Sequence, residues 1–181
     1  MTLTVPQVFD ADSVTAACQR VLDAILAAAA VLPDVVTLPD RQILSTAGVT
    51  WDCQMVFVAA LSVQTGIPES PSVPPYGGAE TYPQGMTIWT VTLEAGVVRA
   101  ATAEPQDGVP GYQVPTPDQY LADLTTVSSD TAVLINAAAA LGQQDLQFGP
   151  VPQHADMLAT QGTFQGVAAN LTVELFPAPG A

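Results

Sequence analysis

Residues 50–66 read TWDCQMVFVAALSVQTG. Taken in steps of two, Trp51, Cys53, Met55, Phe57, Ala59, Leu61 and Val63 share one side of a strand. Asp52, Gln54, Val56, Val58, Ala60, Ser62 and Gln64 share the other, which turns apolar in its middle. A strand that is apolar on both faces must be covered on both. At about 3.3 Å per residue it would reach roughly 50 Å, so a bulge or bend is expected within it.

The elements on either side set the frame. Upstream, LPDRQILS reads as a strand over about 40–46, and the short AGVT stretch predicts a hairpin between it and a strand over 50–65. Further upstream, DSVTAACQRVLDAILAAAAVL carries Val14, Ala17, Cys18, Val21, Leu22, Ile25, Leu26 and Leu32 at helical spacing. That helix is expected over 13–32, capped by Asp12 or Ser13 and followed by Pro33. Downstream, MTIWTVTLEAGVVRAATA is rich in β-branched residues and reads as a strand with a bulge or turn at Gly96.

TPDQ at 116–119 is the clearest local signal. Thr116 stands at the N-cap, Pro117 at the first helical position and Gln119 at the capping-box position. The helix that follows has an apolar stripe of Leu121, Leu124, Val127, Leu134, Ile135, Ala138 and Leu141, with Gly142 as its C-terminal cap. Ser128-Ser129-Asp130 is expected to bend or split it. LQFGPV is a candidate short strand, and a closing hairpin is expected around Gly162. The last strand alternates through Val167, Ala169, Leu171, Val173 and Leu175.

The resulting order, α-β-β-loop-β-loop-α-β-β, predicts a single α+β domain over 1–181. Its sheet is expected to be mainly antiparallel, with two principal helices packed on one face. Long Pro- and Gly-rich loops fall at about 67–85 and 104–116.

Charge narrows the function classes. Three arginines and no lysine face 17 acids, for a net charge of −14. Phosphate recognition needs clustered basic side chains, so neither specific nucleic-acid binding nor an anionic-membrane surface is expected. No run of about 18 apolar residues is evident for a bilayer span, and the N-terminus lacks the pattern of a secretory leader. A soluble, intracellularly made protein with reduced thiols is the expectation.

Charged residues make up only 11% of the chain and hydrophobic ones 49%. A free monomer of this mass would expose about 8,300 Å², giving roughly one charge per 400 Å². Either a neutral surface rich in Thr and Gln does the solvating, or other chains cover much of it.

Chemistry-bearing constellations are thin. His154 is the only histidine, and QHADM holds neither a glycine elbow nor a second ligand. No Asp/Glu/His cluster has metal-ligand spacing, and Cys18 and Cys53 both read as buried small hydrophobes. No phosphate-cradle or hydrolase motif is present. No catalysis, cofactor or metal is expected. Arg41 and Arg99 are rare positive points, to be paired locally, with Asp40 or Glu94 for example, or across a subunit contact. Tyr76, Tyr82 and Tyr112 in the loops join them as candidate assembly-interface residues.

LPDRQILSTAGVTWDCQMVFVAALSVQTGIP resembles small neck proteins of long-tailed actinobacterial phages. In these, a Pro-x-Arg strand leads into a WDC(E/Q) strand that ends in a Gly-x-Pro turn. VVRAATAEPQDGVPGYQVPTPDQYLADL is similar to the continuation, and GTFQGVAANLTVELF to the closing strand. The resemblance runs in order over about 35–176, to the tail terminator group of head–tail connector proteins.

It implies an α+β subunit of a ring, generally of six copies, and no catalysis or cofactor. The ring's partners would be the tail tube protein and the head-side connector protein, with DNA passing through an acidic lumen. Such a protein would be assembled in the host cytoplasm and reside in the neck or tail of the virion. The competing readings are another virion part (stopper, tube subunit or decoration protein), a small enzyme or ligand-binding domain, and a surface adhesion module.

Overall fold

The computed structural model describes residues 11–32, 36–46, 49–50, 52–66, 88–101, 116–144, 155–161 and 164–175. The elements are α1 (Ala11–Val31), β1 (Gln42–Ser45), β2 (Met55–Gly66), β3 (Ile88–Ala100), α2 (Pro117–Gln144), β4 (Asp156–Gln161) and β5 (Phe164–Leu175). The expected order of elements is the observed one. The five strands form one mixed sheet in the order β1-β2-β3-β5-β4. LQFGPV and most of the two long loops lie outside the described residues.

The stripe of α1 is the buried one. Val14, Ala17, Cys18, Val21, Leu22 and Ile25 are in the core, with Ala28 and Ala29 continuing the row. Alanine at those two places lets the helix lie close to its neighbours. The helix begins at Ala11, so Asp12 and Ser13 fall in its first turn rather than before it. At α2 the capping box forms as expected. The Thr116 amide donates to Gln119 Oε1 at 2.7 Å, and the Gln119 amide donates back to Thr116 Oγ1 at 3.4 Å.

Beyond that start, α2 departs from expectation in three ways. It is continuous through Ser128-Ser129-Asp130. The hydroxyls of Thr125, Thr126, Ser128, Ser129 and Thr131 each donate to the carbonyl four residues back, so they are satisfied without breaking the helix. The helix also passes Gly142 and ends at Gln144. Thirdly, the residues from Pro117 to Thr126 include none that is buried, and Leu121 and Leu124 are 61% and 54% exposed. The core-facing stripe begins only at Val127 and continues through Val133, Leu134, Ala137, Ala138 and Leu141.

Three of the four strand pairings are antiparallel, including the expected β4–β5 hairpin. The fourth is not. β1 pairs parallel with β2, Gln42 beside Val56 and Ser45 beside Ala59, so no hairpin joins them. The chain after Ser45 instead returns to the starting end of β1 before β2 begins. The Val56 amide then donates to the Arg41 carbonyl at 2.9 Å, which opens the parallel ladder.

The two faces of the sheet are covered unequally. Val56, Val58 and Ala60 of β2, Trp89, Val91, Leu93, Ala95 and Val97 of β3, and the alternating row of β5 all join the helices in the main core. At about 1.5–3 kcal/mol for each fully buried large aliphatic side chain, this layer dominates stability. On the reverse face, Met55, Phe57, Ala59, Val98 and Ala168 form a smaller cluster, flanked by Ile43, Val49, Cys53, Leu158 and Phe164.

The expected interruption of β2 is a register shift at Leu61, between Ala60 opposite Leu93 and Ser62 opposite Thr92. It breaks the period of two. Val63 pairs with Val91 and so lies on the helix side, away from the face of Phe57.

By length and composition alone, α1 (Ala11–Val31) and Pro117–Gln143 of α2 could cross a membrane, contrary to the expectation that no segment could. Alanine and valine raise the mean hydropathy although charged residues interrupt each run. In the fold, one side of each of these helices is packed against the sheet and the other helix.

Candidate functional site

The two arginines that sequence reading singled out anchor the same end of the sheet in different ways. Arg99, late in β3, reaches the middle of α2. Its Nε donates to Asp130 Oδ2 at 2.6 Å and its Nη2 to Asp130 Oδ1 at 2.7 Å, a bidentate pair. Nη2 also donates to the Thr37 carbonyl at 3.0 Å. Asp130 is the one buried charged side chain among the described residues, and Arg99 is largely buried with it. The guanidinium is thus engaged within the chain, with a partner other than Asp40 or Glu94.

Arg41 is exposed. Its Nη1 donates to Asp52 Oδ1 at 3.3 Å and to Cys53 Sγ at 2.8 Å. It fastens the returning segment beside the start of β1, where the parallel pairing begins. Cys53 is only partly buried, whereas Cys18 is buried as expected. Burial pushes the Cys18 thiol above its ordinary pKa, a backbone hydrogen bond opposing this in part. Tyr76, Tyr82, Tyr112 and His154 lie outside the described residues.

No group of three or more His, Cys, Asp or Glu side chains that could hold a metal occurs among the described residues. A small gap between the helices and the sheet is lined by apolar side chains such as Ile25, Leu134, Leu141 and Leu171. It offers no polar group to orient a ligand.

What the structure does present is surface. Large apolar side chains stand exposed on both flanks of the sheet: Leu44 on β1, Leu61 and Val63 on β2, and Met157 on β4. Tyr120, Leu121 and Leu124 form a further exposed group near the start of α2.

The edge strands are short and placed at one end. β1 covers β2 only over Val56–Ala59. β4 pairs with β5 only over Phe164–Ala168. Both of these stretches lie opposite Glu94–Ala100 of β3. The other end of the sheet, beyond Leu61, is three-stranded among the described residues: β2 from Ser62, β3 up to Leu93 and β5 from Leu171.

On the reverse face of that end the side chains are polar. Ser62, Thr92 and Thr172 lie in one cross-strand row, and Gln64, Thr90 and Glu174 in the next. The period of two read from sequence could not place this patch, because the bulge at Leu61 moves Ser62 and Gln64 onto the face of Phe57.

No family model and no curated protein matches the sequence.

Proposed function

We propose that the chain is a structural subunit of a virion neck, a tail terminator whose copies form a ring, of six by the resemblance, that caps the tail tube and joins it to the head-side connector. The observation that carries this reading is the pair of unlike flanks of the sheet. A head-to-tail ring needs two different surfaces on each subunit, one to meet each neighbour. The flank of β1 and β2 exposes Leu44, Leu61 and Val63, and the flank of β4 exposes Met157. Scarce charge supports it further, since a surface with few ions and several exposed apolar side chains is relieved by burial against other copies.

The resemblance of residues 35–176 to tail terminators supplies the particular role. A net charge of −14 suits a channel that DNA passes without sticking, because like charge keeps the phosphates off the wall. In this reading the partners are further copies of the chain, the tail tube protein and the head-side connector protein.

The test is the native mass of the purified chain, alone and mixed with purified tail tubes, together with electron microscopy of the tube ends. Rings in solution or seated on tube ends are expected. A chain that stays monomeric under both conditions overturns the reading.

A further inference from the structure

The three-stranded end of the sheet has two open edges among the described residues. The outer edge of β2 is unpaired from Ser62 to Gly66, and that of β5 from Ala169 to Leu175. Backbone N–H and C=O groups along such an edge point outward and need water or another strand.

Proteins protect open edges with Lys, with Pro, or with charges that point inward. Neither stretch contains Lys, Arg or Pro, and Glu174 is the only charge in the two together. Leu61 and Val63 are instead 48% and 44% exposed beside the β2 edge. The bulge at Leu61 lies just past the last β1 pair, at Ala59, and marks where the open edge begins.

The two open edges are level with each other. Val63 pairs with Val91 and Val91 with Val173, and Gln64 pairs with Thr90 and Thr90 with Glu174. One stretch of β3 therefore sets the height of both. β2 and β5 each run antiparallel to β3, so they run the same way as each other.

We infer that neighbouring copies join edge to edge at this end, the open edge of β5 in one copy adding in parallel to the open edge of β2 in the next. This rests on the reading of the chain as a ring subunit and names the contact that builds the ring. The occupant is a second copy because the chain itself carries both halves of the joint. β4 of one copy and β1 of the next stand at the other end of the same gap. The joined sheets therefore diverge toward that end, and the joint is confined to Ser62–Gly66 beside Thr172–Leu175. A head-to-tail contact of this kind forms a ring where the rotation between copies closes. On the reverse face the joint sets Gln64 level with the neighbour's Glu174, where the amide donates to the carboxylate, and Ser62 level with its Thr172.

The experiment uses the full chain. Val63→Lys puts a charge at the half-exposed edge, and a thermal melt checks that the fold is kept. In a Cys53→Ser background, the level pair Gln64→Cys with Glu174→Cys tests the joint by oxidation and non-reducing electrophoresis, each single cysteine serving as a control.

The wild-type chain is expected to assemble, and Val63→Lys to raise the midpoint concentration for assembly about tenfold or more. The double-cysteine chain is expected to give a ladder of covalent multimers that neither single variant gives. If the wild type and Val63→Lys assemble equally and no ladder forms, the edge joint is wrong while the ring reading stands. Covalent dimers from Gln64→Cys alone mean that β2 meets β2, which overturns the head-to-tail joint. A chain that never associates, alone or with tail tubes, removes the ring reading and this joint together.

Discussion

Arg99 on β3 and Asp130 on α2 share two hydrogen bonds, of 2.6 and 2.7 Å, across the join between the sheet and the helix layer. They are 31 residues apart in sequence, and Asp130 is buried. The pair fixes where along α2 the sheet docks. Val127, Val133 and Leu134 on either side of Asp130 enter the core, while the turns before them stand clear of it.

Removing one partner strands a charge in a place with little water. Asp130→Ala should destabilise the chain by about 3–5 kcal/mol, measured by urea unfolding. The double variant Arg99→Met with Asp130→Leu should recover most of that loss, because an apolar pair carries no desolvation cost. Arg41→Ala is the contrast. Its pair with Asp52 is exposed on both sides, and its loss should cost no more than about 1 kcal/mol. Equal losses for Asp130→Ala and Arg41→Ala would show that burial of the first pair has no energetic weight.

The exposed start of α2 makes an opposite prediction for leucines on one helix. Leu124→Asp should change stability by about 0.5 kcal/mol or less, since Leu124 stands in solvent. Leu134→Ala, from the core, should cost about 2–5 kcal/mol. Chemical denaturation of the two variants decides it. A large loss for Leu124→Asp would mean that the chain already shelters this turn.

The contrast also shows which parts of the fold were legible in sequence. Where local pattern and burial agree, reading worked: the row from Val167 to Leu175, the stripe from Val14 to Ile25, and the Thr116–Gln119 capping box are all seen. The α+β class and the order of elements followed from these. Leu121 and Leu124 have the same spacing as Leu134, and nothing local says that the helix outruns its sheet.

The parallel pairing of β1 was hidden for a similar reason. AGVT has the chemistry of a tight turn, but the ladder opens with the Val56 amide on the Arg41 carbonyl, a backbone contact that no local pattern marks. Asp130, between serines in a helix, gave no hint of a partner on a distant strand. Of the candidate interface residues, Arg99 turned out to bind inside the chain. The polar rows of the three-stranded end depend on the bulge at Leu61, whose existence was expected but whose position was not.

Gly96 offers a steric prediction. A Cβ built there would lie 2.5 Å from Phe57 Cε1 and 2.8 Å from the Val167 carbonyl oxygen. Phe57 is fully buried and directly opposite, so its ring covers the glycine and has no room to retreat. Gly96→Ala should destabilise the sheet by about 1–3 kcal/mol or more through overpacking. Trimming the ring does not move the Val167 backbone, so Gly96→Ala should remain harmful in a Phe57→Leu background. Full rescue there would place the whole cost on the ring. Thermal melts of the single and double variants separate the two.

The cysteines give a prediction in reactivity and in pH. Cys53 is partly exposed and Cys18 buried, so a thiol reagent should label Cys53 in the native chain and Cys18 only on unfolding. Burial holds the folded Cys18 thiol above its ordinary value of 9.0. As pH rises through that value the unfolded chain loses the proton first and binds fewer protons than the folded chain. Stability from this group is therefore complete below about pH 8 and declines as pH climbs past 9. Cys18→Ala removes the effect along with a small buried group, at a cost of about 1 kcal/mol near neutrality. The gap in unfolding free energy between wild type and Cys18→Ala should thus be constant below pH 8 and shrink in alkali. A gap that widens with pH would mean that the folded chain favours the thiolate, and that burial does not govern the Cys18 thiol.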